Sequence, residues 1–512
     1  MNGQMASDFS PQSEFKYHQL AHALQCAIFD GLYEPGERLS SIRKIAYSYK
    51  VSITTVKLAL DQLISQELIA PQARSGFYVV KHPDGGDLVE PDHDLVEALI
   101  EECCVPRNDT IDSSLVFAVL PQAFTPKELI AKAVTQSAKE SHPLLFDYAD
   151  YETTTDVRLI LSRYAMESGI TLDPREIVFA DGFLNALESS LILLNPERKP
   201  VAIEEPTNFA FIQVLENLGM PILPLPLELQ TDGSYEFDLK TLEWHIQQTG
   251  VGILIISTSV RNPMGNGVSL NHRKKLASLL ERTELILLED DTLRDTVAQP
   301  LPPIYTLTQS KRVLWFSSFA ETLSPTLKYC WIAAGSFHHL LRDTWRATTC
   351  AISGIQLAVT EAILQVSGFN KIRKEIQHQN FQALVKAQEF ILTHFPPGTS
   401  VTKPIGGYAL WIRLPQGISG HGLYRQAKLQ GFSFIPGIAF SPDQHFDDHI
   451  RIAPGNFGPT QQNLLLQLAT LISESEQPKN IELIPSYSKE TTYEPCTCNQ
   501  FRTKAENPEC CS

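Results

Sequence analysis

No apolar run in this 512-residue sequence approaches the ~18–20 residues that cross a bilayer, so a membrane-spanning protein is not expected. The opening stretch MNGQMASDFSPQ lacks the basic-then-apolar pattern of an export signal, which makes a cytoplasmic location the expectation. A net charge of −16 excludes a chain that coats nucleic acid along its length. A secreted disulfide framework is excluded as well, because the chain is long and carries no export pattern. Of nine cysteines, Cys496, Cys498, Cys510 and Cys511 crowd the end of the sequence. Their CxC and CC spacings suit a soft metal or redox chemistry. The surrounding Pro, Lys, Glu and Asn favour a disordered tail with reactive thiols, and no metal site is assigned.

What is present is uneven. Residues 1–80 hold 7 Lys/Arg and 7 Asp/Glu, yet residues 38–60 hold Arg38, Arg43, Lys44, Lys50 and Lys57 with no acid. A local basic face on an acidic protein suits a small DNA-reading module. The spacing of Leu20, Ala23, Leu24, Ala27 and Ile28 predicts a first helix, ended by Gly31 and Pro35-Gly36. Ser41 and Ser52 stand where helix caps belong, before apolar stripes at Ile42, Ile45, Ala46 and Tyr49, and at Val56, Leu60, Leu63 and Ile64. Ile69-Ala70, the polar tip around Arg74 and Phe77–Val80 predict a hairpin. Three helices and a hairpin make a winged helix-turn-helix, whose helix from Ser52 enters the major groove. Arg38, Arg43, Ser52, Thr54, Thr55, Lys57, Arg74 and Gly76 are the candidate DNA-binding positions.

This segment resembles the DNA-binding domain of GntR-superfamily regulators, through Tyr17-His18-Gln19-Leu20, Pro35-Gly36-Glu37-Arg38-Leu39, Ser41-Ile42-Arg43, Val51-Ser52, Thr54-Thr55-Val56, Ala59-Leu60 and Gly76. It departs from that family at Ser40, where Pro is usual, and at Ile53, where Arg is usual. A small helical domain with a solvated basic face is the plainer alternative.

Residues 82–104 contain eight acids and no Lys or Arg, the composition of a solvated tether. From about residue 115, apolar runs at 176–180, 200–205, 221–227, 252–257, 285–290 and 313–318 alternate with amphipathic stretches. That pattern predicts an α/β fold with a mostly parallel sheet, its ligand site at the carboxyl ends of the strands. The expected boundaries are 11–80 for the winged helix, 81–114 for the linker, 115–475 for the α/β domain and 476–512 for the tail.

The order of the segments Ser257–Gly265, Glu289-Asp290-Asp291, Ser317–Lys328, Gly406-Gly407-Tyr408, Pro436-Gly437 and Ile450-Arg451-Ile452 resembles the type I aminotransferase fold, which binds pyridoxal phosphate. A GntR-type winged helix joined to that fold is the arrangement of MocR-type regulators. The resemblance implies that Asp290 pairs with the pyridine nitrogen and Asn262 with the ring hydroxyl. It likewise implies that Ser318 and Lys328 hold phosphate and that Arg451 grips a carboxylate. Glu321 falls where the family carries its cofactor-binding lysine. A carboxylate cannot form the imine, so covalent attachment is not expected and no catalytic residue is assigned. Asp181 and Phe183 in the early phosphate loop, Thr292-Leu293 after the acid pair, and Asn208 in place of a tyrosine are further departures. The reading is a cytoplasmic homodimeric regulator that binds promoter DNA and senses a small-molecule effector. Its cofactor is unknown, with pyridoxal phosphate implied by resemblance. A regulator that uses the domain for dimerisation alone and a pyridoxal-phosphate-dependent aminotransferase remain as alternatives.

Overall fold

The computed structural model describes residues 115–348 and 352–476. Nearer the N-terminus it describes positions 17, 20, 21 and 24 and residues 38–49, 51–65, 68–72 and 76–79. Linker 81–114, tail 477–512 and Arg74 lie outside the described residues, as does the side chain of Arg43.

In the N-terminal module, helix Ile42–Ser48 leads into helix Ile53–Ser65. Both expected caps form: Ser41 Oγ accepts from Lys44 N at 3.3 Å, and Ser52 Oγ accepts from Thr55 N at 3.0 Å. Strands β1 (Ile69–Gln72) and β2 (Gly76–Val79) pair antiparallel as the wing. Leu20, Ala21, Leu24, Leu39, Ile45, Val56, Ala59, Leu60, Leu63, Ile69 and Val79 form one buried cluster, so the module has its own core.

The large domain is built on a seven-stranded sheet. Its strands are β3 (Ile177–Ala180), β4 (Val201–Glu205), β5 (Ile222–Pro226), β8 (Ile253–Ser257), β9 (Ile286–Asp290), β10 (Val313–Ser318) and β11 (Cys330–Ala333), and β6 (Glu228–Leu229) pairs with β7 (Tyr235–Glu236) beside it. The order is β3-β11-β10-β9-β8-β4-β5. Strands β4 and β8 are buried at every position, which explains why they read as unbroken apolar runs rather than alternating ones. Six strands match the apolar runs of the sequence. The seventh, β11, was not anticipated. It returns antiparallel to β10 after residues 319–329, a connection without a crossover helix. That connection carries Glu321.

β12 (Ser400–Val401), β13 (Leu410–Arg413), β14 (Ile435–Pro436) and β15 (His449–Ile452) form an antiparallel sheet in the C-terminal subdomain. Its buried cluster includes Trp411, Phe434, Phe440, Leu465 and Leu468. Among the described residues no helix is long and apolar enough to cross a membrane.

Candidate functional site

β4, β8, β9 and β10 run parallel, so their carboxyl ends share one edge of the sheet. β4 lies between β5 and β8, so the chain reverses its direction of strand addition there, and the crevice outside such a reversal is where ligands collect. Asn208, Asn262, Asp290 and Glu321 all follow or end strands at this edge.

The turn carrying Asn262 is fixed from below. Arg261, 2% exposed, donates from Nε to Glu204 Oε1 at 2.7 Å and pairs with Glu236 at 3.3 Å. These ion pairs are buried, so loss of one partner would leave an uncompensated charge. The Asn262 Oδ1 atom is buried and has no hydrogen-bond partner.

Asp290 is buried and held on both oxygens. Its Oδ2 accepts from Ser257 Oγ at 2.8 Å, and its Oδ1 accepts from Thr292 N at 3.0 Å and Thr292 Oγ1 at 2.8 Å. Burial pushes the carboxyl pKa up, and the bonds from Thr292 and Ser257 pull it part of the way back. Thr292, which departs from the aromatic expected by resemblance, therefore orients the acid. Glu321 is half-buried, and its backbone carbonyl accepts from Tyr408 Oη. Burial first, and then the charge of Asp290, push the Glu321 carboxyl up to about 7. Below that value the neutral acid can donate a proton to a hydrogen-bond acceptor. Above it the Glu321 carboxyl is ionised. The lysine nearest in sequence is Lys328, seven residues on.

The remaining candidates are engaged by other groups of the chain. Ser318 donates to Tyr329 O at 3.0 Å and accepts from Ala320 N at 3.1 Å. Lys328 pairs with Asp181 at 3.4 Å in an exposed ion pair. Arg451 is 2% exposed, donates to Val116 O and lies 5.7 Å from the Phe440 ring centroid. Asn208 caps helix Phe209–Asn217 through Ala210 N. Phe183 packs against Phe211 and Phe316 at the start of helix Phe183–Leu194.

In the N-terminal module, Ser52, Thr54 and Lys57 are exposed along the first turn of helix Ile53–Ser65. Thr55 is a correction to its expected DNA-binding role: it is 8% exposed, and its hydroxyl lies 2.8 Å from Ser52 Oγ. The cap that starts the helix turns this side chain inward, and the same bond ties up Ser52 Oγ. Arg38 is exposed and its backbone bridges to Tyr78. Gly76 has φ +124°, and a Cβ there would stand 3.0 Å from Arg38 Nε. Glycine at 76 thus leaves room for the guanidinium against the wing.

The profile "Aminotransferase class I and II" matches residues 121–425, more than half of the sequence. The chain belongs to that family. A second profile, "Bacterial regulatory proteins, gntR family", matches residues 16–79. YjiR of Escherichia coli (strain K12), described as an uncharacterized HTH-type transcriptional regulator, is 25% identical over 85% of this chain and 94% of its own length. YdcR of the same organism, described in the same words, is 26% identical over 90% of this chain and 99% of its own. A structure of Pyrococcus horikoshii kynurenine aminotransferase in complex with PMP superimposes with a TM-score of 0.66 at 20% identity, covering 76% of this chain and 96% of that one. This last likeness shows the fold alone.

Sequence reading missed the grouping of Glu205, Asp443 and His445, whose ligand atoms lie within 4.8 Å of one another. Glu205 lies more than two hundred residues before Asp443 and His445, so no local spacing in the sequence brings the three together.

Proposed function

We propose that the protein is a DNA-binding transcriptional regulator of the MocR type, whose aminotransferase-like domain pairs two chains and senses a small effector without a covalent bond to it. The observation that carries this reading is the joining of a gntR-family module and an aminotransferase-like domain in one chain, aligned nearly end to end with relatives described as transcriptional regulators. The functional division follows 11–80, 81–114, 115–475 and 476–512. Two winged helices in a homodimer would read two half-sites. The exposed Arg38, Thr54 and Lys57 support phosphate contact, to which Arg43, Arg74 and the wing glycine Gly76 add.

Pyridoxal phosphate, the cofactor of this fold, fits the site in part. At the ring end, a buried Asp290 and the unpartnered Asn262 Oδ1 suit a pyridine nitrogen and a ring substituent. The anchor does not fit: Glu321 stands at the lysine position, and a carboxylate has no amine to condense with an aldehyde. Nor does the phosphate end, because Ser318 is satisfied internally and Asp181 partners Lys328. The residues present therefore disagree with a covalently held cofactor, and no catalytic step is assigned to it. An effector would meet Asp290, Asn262 and Glu321. Arg451 would bind a carboxylate only after releasing Val116 O.

Calorimetric titration of the full chain with pyridoxal phosphate tests the reading, with Glu321→Lys in parallel and with DNA affinity measured with and without the ligand. Saturable, non-covalent binding that changes DNA affinity is expected. An absorbance signature of an imine in the unaltered chain, or transamination, would overturn it. Unchanged DNA affinity with every ligand would leave dimerisation as the domain's role.

A further inference from the structure

We propose that Glu205, Asp443 and His445 form a binding site for a divalent first-row metal ion, of the zinc class, that ties the C-terminal subdomain to the central sheet. Glu205 is the last residue of β4 and is 3% exposed. Asp443 and His445 sit in the loop between Phe440 and β15, on the other subdomain. Their carboxylate and imidazole atoms lie within 4.8 Å of one another, and His445 Nδ1 is 3.2 Å from Glu205 Oε1. Two donors bound to one ion at ~2.0–2.2 Å stand roughly 3.0–3.6 Å apart, so this pair is already at chelating distance.

Ser441 builds the loop around the buried acid. Its hydroxyl donates to Glu205 Oε1 at 2.6 Å and accepts from Asp443 N at 3.2 Å and His445 N at 3.0 Å. One side chain thus brings both exposed donors back toward Glu205. The neighbouring Thr207 N donates to Phe440 O at 3.0 Å, so the two subdomains are already in contact here.

Charge supplies the second argument. Among the described residues no Lys or Arg pairs with Glu205 or Asp443, and the one basic partner of Glu205 is His445. Its side chain is 60% exposed. A buried carboxylate calls for a fixed counter-charge. An imidazolium would answer Glu205 and leave Asp443 unanswered, whereas a dication answers both. One nitrogen and two carboxylate donors suit zinc and its first-row neighbours better than a softer ion. Water would complete the coordination, since two of the three ligands face solvent.

The test is Zn²⁺ titration of the metal-stripped full chain by calorimetry, with metal content measured after dialysis, for the natural chain, His445→Ala and Asp443→Asn. All three share the cysteine-bearing tail, so the difference between them isolates this site. The substituted positions are exposed, so the variants keep their fold. His445→Ala is expected to retain one equivalent of Zn²⁺ fewer, and Asp443→Asn to bind that equivalent about tenfold or more weakly. Zn²⁺ should also raise the Tm of the natural chain more than that of either variant. Equal stoichiometry, affinity and Tm response in all three proteins would overturn the site, whether the metal is then held by the tail or not at all. Co²⁺ in place of Zn²⁺ gives an independent readout. The equivalent lost in His445→Ala should show no thiolate-to-metal absorption, and its loss together with such a band would also overturn the assignment.

Discussion

Helix Ile53–Ser65 and the connection 319–329 treat their polar residues in opposite ways. The helix leaves Thr54 and Lys57 exposed and turns Thr55 inward, where it completes the cap. The connection holds Ser318 at the end of β10 through Tyr329 O and Ala320 N, ties Tyr408 to the Glu321 carbonyl and places an acid near Asp290. One region keeps Thr54 and Lys57 at the surface, and the other buries hydroxyls, those of Thr322 and Tyr329 without a hydrogen-bond partner. The two regions are thereby distinguished by where their polar groups are placed, not by which residue types are present. The comparison can be broken at several points.

The largest effect is expected from the module's core. Leu60 is 1% exposed and packs in the cluster with Leu20, Leu24 and Val79. Leu60→Ala should destabilise the module by about 3 kcal/mol. A core this small has little stability to lose. DNA binding should disappear while the large domain still melts at its usual temperature in a two-transition scan. Retained DNA affinity would mean that the module draws its stability from elsewhere.

Glu321 gives the next largest effect. Its carboxyl moves from an ordinary 4.5 to about 7, so the folded chain holds the proton more tightly than the unfolded chain does. That contribution is fully present below about pH 4.5 and is lost as pH rises to about 7. Relative to Glu321→Gln, the natural chain should lose about 2 kcal/mol of stability between pH 5 and 8; solvent at this half-buried position keeps the figure below the full value of the shift. Denaturant melts at both pH values check this. Parallel behaviour of the two proteins would mean that the Glu321 carboxyl is not desolvated in the folded chain.

Lys57→Ala should weaken binding to any DNA duplex about tenfold and lower the slope of log affinity against log salt by about 1. Thr55→Ala should leave that slope unchanged, because its hydroxyl is bonded to Ser52. A changed slope for Thr55→Ala would reverse the assignment between the two side chains.

The difference between Thr54 and Thr55 also shows where sequence reading stops. The helix, its Ser52 cap and its apolar stripe were all legible, because each follows from a local rule. The inward turn of Thr55 depends on its contact with the Ser52 hydroxyl, which the pattern of residue types alone does not specify. At the sheet, six apolar runs located six strands and, with them, the edge where Asp290 and Asn262 stand. β11 escaped because CWIA is short and follows a loop instead of a crossover helix. The saturation of Ser318 by Tyr329 and the approach of His445 to Glu205 were not legible, since both depend on contacts that only the folded chain creates.

The smallest expected effect lies at the Lys328–Asp181 pair. Both side chains are more than half exposed, so the pair stabilises the fold little, and Lys328→Ala should change stability by less than about 0.5 kcal/mol. Its meaning for binding is larger than its meaning for folding. Helix Phe183–Leu194 begins at Gly182 with no side-chain cap, so its first amides remain available beside Lys328. A helix N-terminus next to a cation attracts an anion, and Asp181 opposes that attraction with a charge of the wrong sign. Asp181→Asn removes the opposition and keeps the shape. If the internal pairing suppresses anion binding, Asp181→Asn should bind inorganic phosphate about threefold more tightly than the natural chain in calorimetry, and Lys328→Ala should reverse the gain. Equal phosphate affinity in both proteins would show that the Lys328–Asp181 pair does not govern this end of the site, and that the contrast with helix Ile53–Ser65 stops at Ser318 and Glu321.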